Sequence, residues 1–123
     1  MIKGIGLDVV AISRMEGNIG NAHFMERVFT AAERELIGVG NLAAQRAAGN
    51  FAVKEALAKA MGCGLAGCPL DMVETLRDPS GAPYIQTYGK VLARLQALGS
   101  AKIWVSISHS AGVASAGVVL EGE

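Results

Sequence analysis

Charge is scarce in this sequence and evenly split. Lys plus Arg number 11, Asp plus Glu number 11, and together they make up only 18% of 123 residues. That balance supplies no global field for nucleic acid or for an anionic membrane, so a polyanionic partner would have to be met by a local patch. Cysteine is nearly absent. Cys63 and Cys68 alone cannot fill a tetrahedral zinc site, and reduced thiols in the cytoplasm are the expectation. No apolar run approaches the roughly 20 residues of a membrane span. The start, Met1-Ile2-Lys3-Gly4, lacks the apolar stretch of a secretory leader, so a cytoplasmic chain without a membrane partner is expected. Histidine occurs twice, at His23 and His109, and aromatic residues make up 5%.

What the sequence does have is apolar residues, at 51%, and 16 glycines. The length fits one compact domain, taken as residues 1–123, large enough to build a core. Abundant glycine implies tight turns and close backbone approach. A high apolar fraction with little charge also points toward an oligomer.

Along the chain, Ile2 to Val10 reads as a strand. Gly4, Gly6 and Asp8 share one face with Ile2, and Ile5, Leu7 and Val9 the other. The two glycines leave the Asp8 face bare for a close neighbour. Ser13 and Arg14 fall in a turn, and Ala22 to Val28 in a short helix. Thr30-Ala31-Ala32-Glu33 is a capping-box pattern that opens a helix to about Ile37. Asn41 is expected to cap an alanine-rich helix running to Met61, where Gly62 and Gly64 end it. Met72–Arg77 and Pro83–Thr87 form a hairpin around the turn Asp78-Pro79-Ser80-Gly81. Tyr88–Leu98 is helical, with Val91, Leu92, Leu95 and Leu98 on one stripe. Lys102–Ser108 alternates as a strand, and Val113–Leu120 closes as the last one. The class is α+β, with a mainly antiparallel sheet packed against helices.

Three segments carry candidate chemistry. Asp8 ends an apolar strand, well placed for a hard cation. Glu55 and Lys59, four apart in Phe51-Ala52-Val53-Lys54-Glu55-Ala56-Leu57-Ala58-Lys59, share a helix face. His109 sits in Ser106-Ile107-Ser108-His109-Ser110 at a strand end. Read singly, each favours an ordinary role: a strand-end acid, a surface ion pair, a turn histidine. Together they fit one chemistry. Two carboxylates can hold Mg²⁺, whose remaining positions go to water and phosphate oxygens, and a lysine one turn away can neutralise phosphate. The glycines of the first strand do not make G-x-G-x-x-G, so a Rossmann reading fails, and the absence of a G-x-S-x-G elbow argues against a serine hydrolase.

At these residues the chain resembles the holo-acyl carrier protein synthases, the small class of 4′-phosphopantetheinyl transferases. The matching pieces are Gly4-Ile5-Gly6-Leu7-Asp8 with Arg14 downstream, Phe51-x-x-Lys54-Glu55-Ala56-x-x-Lys59, the turn Asp78 to Pro83, and Ser106-Ile107-Ser108-His109-Ser110. The resemblance spans nearly the whole chain. It implies a Mg²⁺-dependent transfer of 4′-phosphopantetheine from coenzyme A to a serine of apo-acyl carrier protein, leaving 3′,5′-ADP. It also implies a homotrimer with coenzyme A between neighbouring chains. Asp8 and Glu55 would then be metal ligands, and Lys59 would contact pyrophosphate. His109 would meet nucleotide phosphates, and Gly81 and Pro83 would lie near adenine. Arg14, Phe24 and Arg27 would face the carrier protein. The proton acceptor is left open among Asp8, Glu55 and a metal-bound water.

Two departures remove positive charge. Asn50 stands where the family commonly has Arg, and the basic run before Phe24 is thinned to Asn21-Ala22-His23. Arg46, one turn before Asn50, could compensate. These departures keep two other classes open: a trimer that binds nucleotide without transferring anything, and a purely structural trimer.

Overall fold

A computed structural model describes all residues, Met1 to Glu123. Five strands and five helices follow in the order β1 (Ile2–Ala11), α1 (Ile12–Glu16), α2 (Ala22–Val28), α3 (Ala31–Ile37), α4 (Ala43–Ala60), β2 (Val73–Arg77), β3 (Pro83–Thr87), α5 (Gly89–Ala97), β4 (Ser100–Ser110) and β5 (Val113–Gly122). Two short 3₁₀ turns, Leu65–Gly67 and Leu70–Met72, link α4 to β2. The strands form two antiparallel sheets, one ordered β1-β5-β4 and the other the β2–β3 hairpin. The α+β class and the antiparallel pairing hold. The strands are split between two sheets: the β2–β3 hairpin pairs only with itself.

Helix α4 is the centre of the molecule. It packs across β1 and β5, and 14 of its 18 residues are buried. Such burial on all sides suits its composition: alanines let neighbours come close from every direction. Gly4 and Gly6 are needed for this contact. A Cβ on Gly6 would sit 1.8 Å from the Ala56 carbonyl oxygen, and one on Gly4 would sit 1.9 Å from that of Ala60. The close neighbour expected on the Asp8 face is therefore the backbone of α4. The opposite face of β1 is uncovered, with Ile5, Leu7 and Val9 all exposed.

Several local expectations need correction. Ser13 and Arg14 belong to α1, a five-residue helix with no side-chain cap, held by the fully buried Met15. Asn41 does not cap α4. Its N-cap is Leu42, without a side-chain hydrogen bond, because the Gly38–Gly40 turn delivers the chain one residue later. On α5, Val91 and Leu95 are buried, but Leu92 lies outside the stripe and is exposed. The capping box is present: Thr30 Oγ1 accepts from Glu33 N–H, and Glu33 Oε1 accepts from Thr30 N–H.

Candidate active site

The register between β1 and α4 positions the first cluster. Gly4 lies against Ala60 and Gly6 against Ala56, so strand and helix run in opposite directions. Two strand residues advance about 6.6 Å and four helical residues about 6 Å. Asp8 therefore follows at the level of the turn that carries Ala52 and Glu55. Lys59 reaches back along the helix surface toward the N-terminus, as helical side chains do. Its ammonium donates to Asp8 Oδ1 at 3.1 Å and to the Leu7 carbonyl oxygen at 3.0 Å. The Asp8 side chain is 14% exposed while that of Lys59 is 55% exposed, so a sheltered carboxylate meets an exposed cation at the surface. Glu55, half-buried, shares the Lys59 face one turn away, yet Lys59 pairs with Asp8 across the strand. No group of three or more His, Cys, Asp or Glu side chains gathers anywhere in the chain.

His109 lies apart from this cluster. It sits in line with Ala114 and Val10 across the sheet, two residues along from the row of Asp8, Ala116 and Ile107, and on the outer strand β4. Its Nε2 approaches Gln45 Nε2 at 3.5 Å, over the first half of α4. Gly81 and Pro83 are further removed, on the β2–β3 hairpin. There Asp78 Oδ1 accepts from the Ser80 and Ala82 N–H groups and from the Ser80 hydroxyl, so its carboxyl is held below the ordinary carboxylate value. Gly81 takes φ +89°, which only that tight turn requires. Arg14 stacks its guanidinium over the Phe51 ring at 5.0 Å. Phe24 and Arg27 lie on α2, with Phe24 packed on the core and Arg27 exposed. One chain thus joins Asp8 to Lys59 beside Glu55 and leaves His109, the hairpin turn and the α1–α2 residues on other parts of its surface.

Sequence reasoning missed the buried polar network beside this site. Lys54, fully buried, donates to Glu33 Oε1 at 2.7 Å, to the Leu70 carbonyl at 2.6 Å and to the Val73 carbonyl. Glu33 also accepts from Thr75 N–H. Burial pushes the Glu33 carboxyl up and the Lys54 ammonium down, each opposed by the other's charge. All three ammonium donors find acceptors, and the carboxylate accepts three hydrogen bonds. That geometry is an ion pair's, and it ties α3 and α4 to β2. The signal available in the sequence was a lysine in an alanine helix, which had to have a partner; nothing local said that the partner was the capping-box acid.

A family model described as the 4′-phosphopantetheinyl transferase superfamily matches residues 4–114. The holo-[acyl-carrier-protein] synthase of Solidesulfovibrio magneticus is 45% identical over 125 residues, covering 99% of this chain and 100% of the relative. The crystal structure of the Bacillus anthracis holo-(acyl-carrier-protein) synthase in complex with CoA (3′,5′-ADP) superposes with a TM-score of 0.84 at 34% identity, covering 100% of this chain and 99% of that one. The Helicobacter pylori holo-[acyl-carrier-protein] synthase in complex with coenzyme A gives a TM-score of 0.83 at 30% identity over 95% of this chain and 99% of that one. The likeness runs over nearly the full length of both chains, and the chain belongs to the holo-[acyl-carrier-protein] synthases, enzymes of the 4′-phosphopantetheinyl transferase superfamily.

Proposed function

We propose that this chain moves the 4′-phosphopantetheine arm of coenzyme A onto a serine of apo-acyl carrier protein, with Mg²⁺ required and 3′,5′-ADP leaving. The observation that carries the reading is the Lys59 ammonium on Asp8 Oδ1, with Glu55 one helical turn before Lys59. A cation already compensates this sheltered carboxylate, as a site built for positive charge would require. Two carboxylates without a third protein ligand suit Mg²⁺, which keeps water and takes phosphate oxygens. Asp8 and Glu55 would hold the ion, and bound there it would neutralise charge on the β-phosphate.

The chain's own groups do the rest. Lys59, more than half exposed, is free to leave Asp8 for the pyrophosphate and to stabilise charge as the phosphoanhydride bond to the 3′,5′-ADP oxygen breaks. The carrier serine hydroxyl attacks the β-phosphorus, and its proton passes to Glu55 or to a water that Glu55 orients. His109 would bind nucleotide phosphates, and Gly81 and Pro83 would border the adenine. Arg14, Phe24 and Arg27 would meet the acidic carrier protein.

These groups are dispersed over one chain, which supports a homotrimer in which each coenzyme A lies between neighbours. The uncovered apolar face of β1 supports it too. Ile5 and Leu7 line an open hollow with Trp104 and Val119 on the sheet face turned away from α4. Residues 1–123 act as one unit in this reading. Two free thiols suit a reducing cytoplasm, and no helix is long and apolar enough to cross a membrane. The test is the change in mass of a purified apo-acyl carrier protein after incubation with this chain, coenzyme A and Mg²⁺. Size-exclusion chromatography with light scattering tests the trimer.

A further inference from the structure

Lys59 does not take the partner its helix offers. A lysine on a helix surface ordinarily pairs with the glutamate one turn before it. Here the chain's two ion pairs are Lys54–Glu33 and Lys59–Asp8, so Glu55 has no cationic partner. The Lys59 ammonium crosses instead to β1 and spends two of its three donors there, one on Asp8 Oδ1 and one on the Leu7 carbonyl oxygen. The two ends of the pair differ in freedom. Asp8 is fixed on a strand that is paired with β5 and packed against α4. The Lys59 side chain is more than half exposed and carries its charge at the end of a flexible four-carbon stem. The cation of this pair is therefore its movable part.

We propose that Lys59 is an exchangeable counter-ion that couples the two ligands of the site. Held on Asp8 and Leu7, it opposes a divalent cation; drawn onto a phosphate of coenzyme A, it releases Asp8 to that cation. This rests on the function proposed above, in which Asp8 and Glu55 hold the metal and Lys59 meets the pyrophosphate. The physics is that of two cations and one carboxylate. Asp8 Oδ2 accepts no hydrogen bond within the chain, so a second cation has an oxygen to approach, but it arrives close to the ammonium. A divalent ion and an ammonium about 5 Å apart repel enough to cost at least about fivefold in affinity, even at the dielectric of water. Drawing the ammonium onto a phosphate removes that repulsion. The gain is reciprocal: the metal raises affinity for coenzyme A by the factor by which coenzyme A raises affinity for the metal. A metal that touches both Asp8 and a phosphate couples the ligands without help from Lys59, so the share carried by exchange is the share that a Lys59 variant removes.

The test is a binding cycle without turnover. Mn²⁺ is the metal probe, its free ion counted by electron paramagnetic resonance, and coenzyme A is added with no carrier protein present. Lys59→Met is expected to bind Mn²⁺ at least about fivefold more tightly than the wild type when coenzyme A is absent, and no more tightly when coenzyme A is saturating. The coupling between the two ligands should fall by the same ratio. Lys59→Arg, which keeps the charge, should retain most of the wild-type coupling. Tighter Mn²⁺ binding of equal size with and without coenzyme A would overturn the proposal, since it would mark Lys59 as a fixed repulsive charge. Unchanged Mn²⁺ affinity in Lys59→Met, at wild-type melting temperature, would overturn it as well. Asp8→Asn separates a failure of the exchange from a failure of the site. It should weaken Mn²⁺ binding strongly; an Asp8→Asn protein that binds Mn²⁺ as the wild type does would put the metal elsewhere and remove the site reading together with the exchange.

Discussion

Replacing Gly6 with alanine tests how the active site is positioned. The new Cβ would stand 1.8 Å from the Ala56 carbonyl oxygen and 2.8 Å from its carbon. Ordinary contact begins at 3.4 Å, so strand and helix would have to part by about 1.6 Å. The obstacle is helix backbone, which cannot change rotamer to make room. Overpacking of side chains alone costs typically 1–3 kcal/mol, so we expect at least about 3 kcal/mol here. That is a large part of the 5–15 kcal/mol of a typical domain and should lower the melting temperature by about 10 °C. Transfer should suffer more than stability. Parting β1 from α4 moves Asp8 away from Glu55 and Lys59, and a misplacement near 1 Å can cost about 100-fold in rate. Urea unfolding and a turnover assay below the melting transition would measure both. Gly64→Ala is the control, since an added Cβ there meets nothing within 4 Å and its φ is −84°. A Gly6→Ala protein with wild-type melting and wild-type turnover would refute the reasoning.

Three other outcomes are expected. Lys54→Met leaves Glu33 buried without its cation and should cost about 3–5 kcal/mol in urea unfolding; adding Glu33→Gln should recover part of that, and a single-variant cost below about 1 kcal/mol would contradict the ion pair. Burial, with Cys63 nearby, pushes the Cys68 thiol up to about 11 from its ordinary 9.0. The unfolded thiol ionises first, so the unfolded state binds fewer protons and stability falls as pH rises from 9 toward 11. Unfolding at several pH values should show that fall shrinking in Cys68→Ala, and iodoacetamide should label half-buried Cys63 well before Cys68.

Some elements were legible because a local pattern fixed them. Alternation gave β4, with Ile103, Val105 and Ile107 on the core side and Trp104 exposed. The Thr30–Glu33 box gave the start of α3, and Asp78 to Gly81 gave the hairpin turn. Elements fixed by tertiary contact were not legible. Helix α1 has neither cap nor length, and it exists because Met15 is buried. Buried all round, α4 shows no stripe by which its start could be judged, so Asn41 looked like a cap. At the site, the spacing of Glu55 and Lys59 put both on one face, but only the β1 register revealed that Lys59 turns to Asp8. The Lys54–Glu33 pair and a cavity joining Arg46 to Arg77 link residues 21 or more apart in sequence, which no local pattern connects.

The central claim is transfer at a site made by Asp8, Glu55 and Lys59. Its most direct test is the intact mass of apo-acyl carrier protein after incubation with the chain, coenzyme A and Mg²⁺. The account predicts a gain of one phosphopantetheine per carrier, abolished by chelator and by Glu55→Ala with the fold intact. No gain on any of several carrier proteins, while coenzyme A still binds, would contradict it and leave a nucleotide-binding trimer in its place.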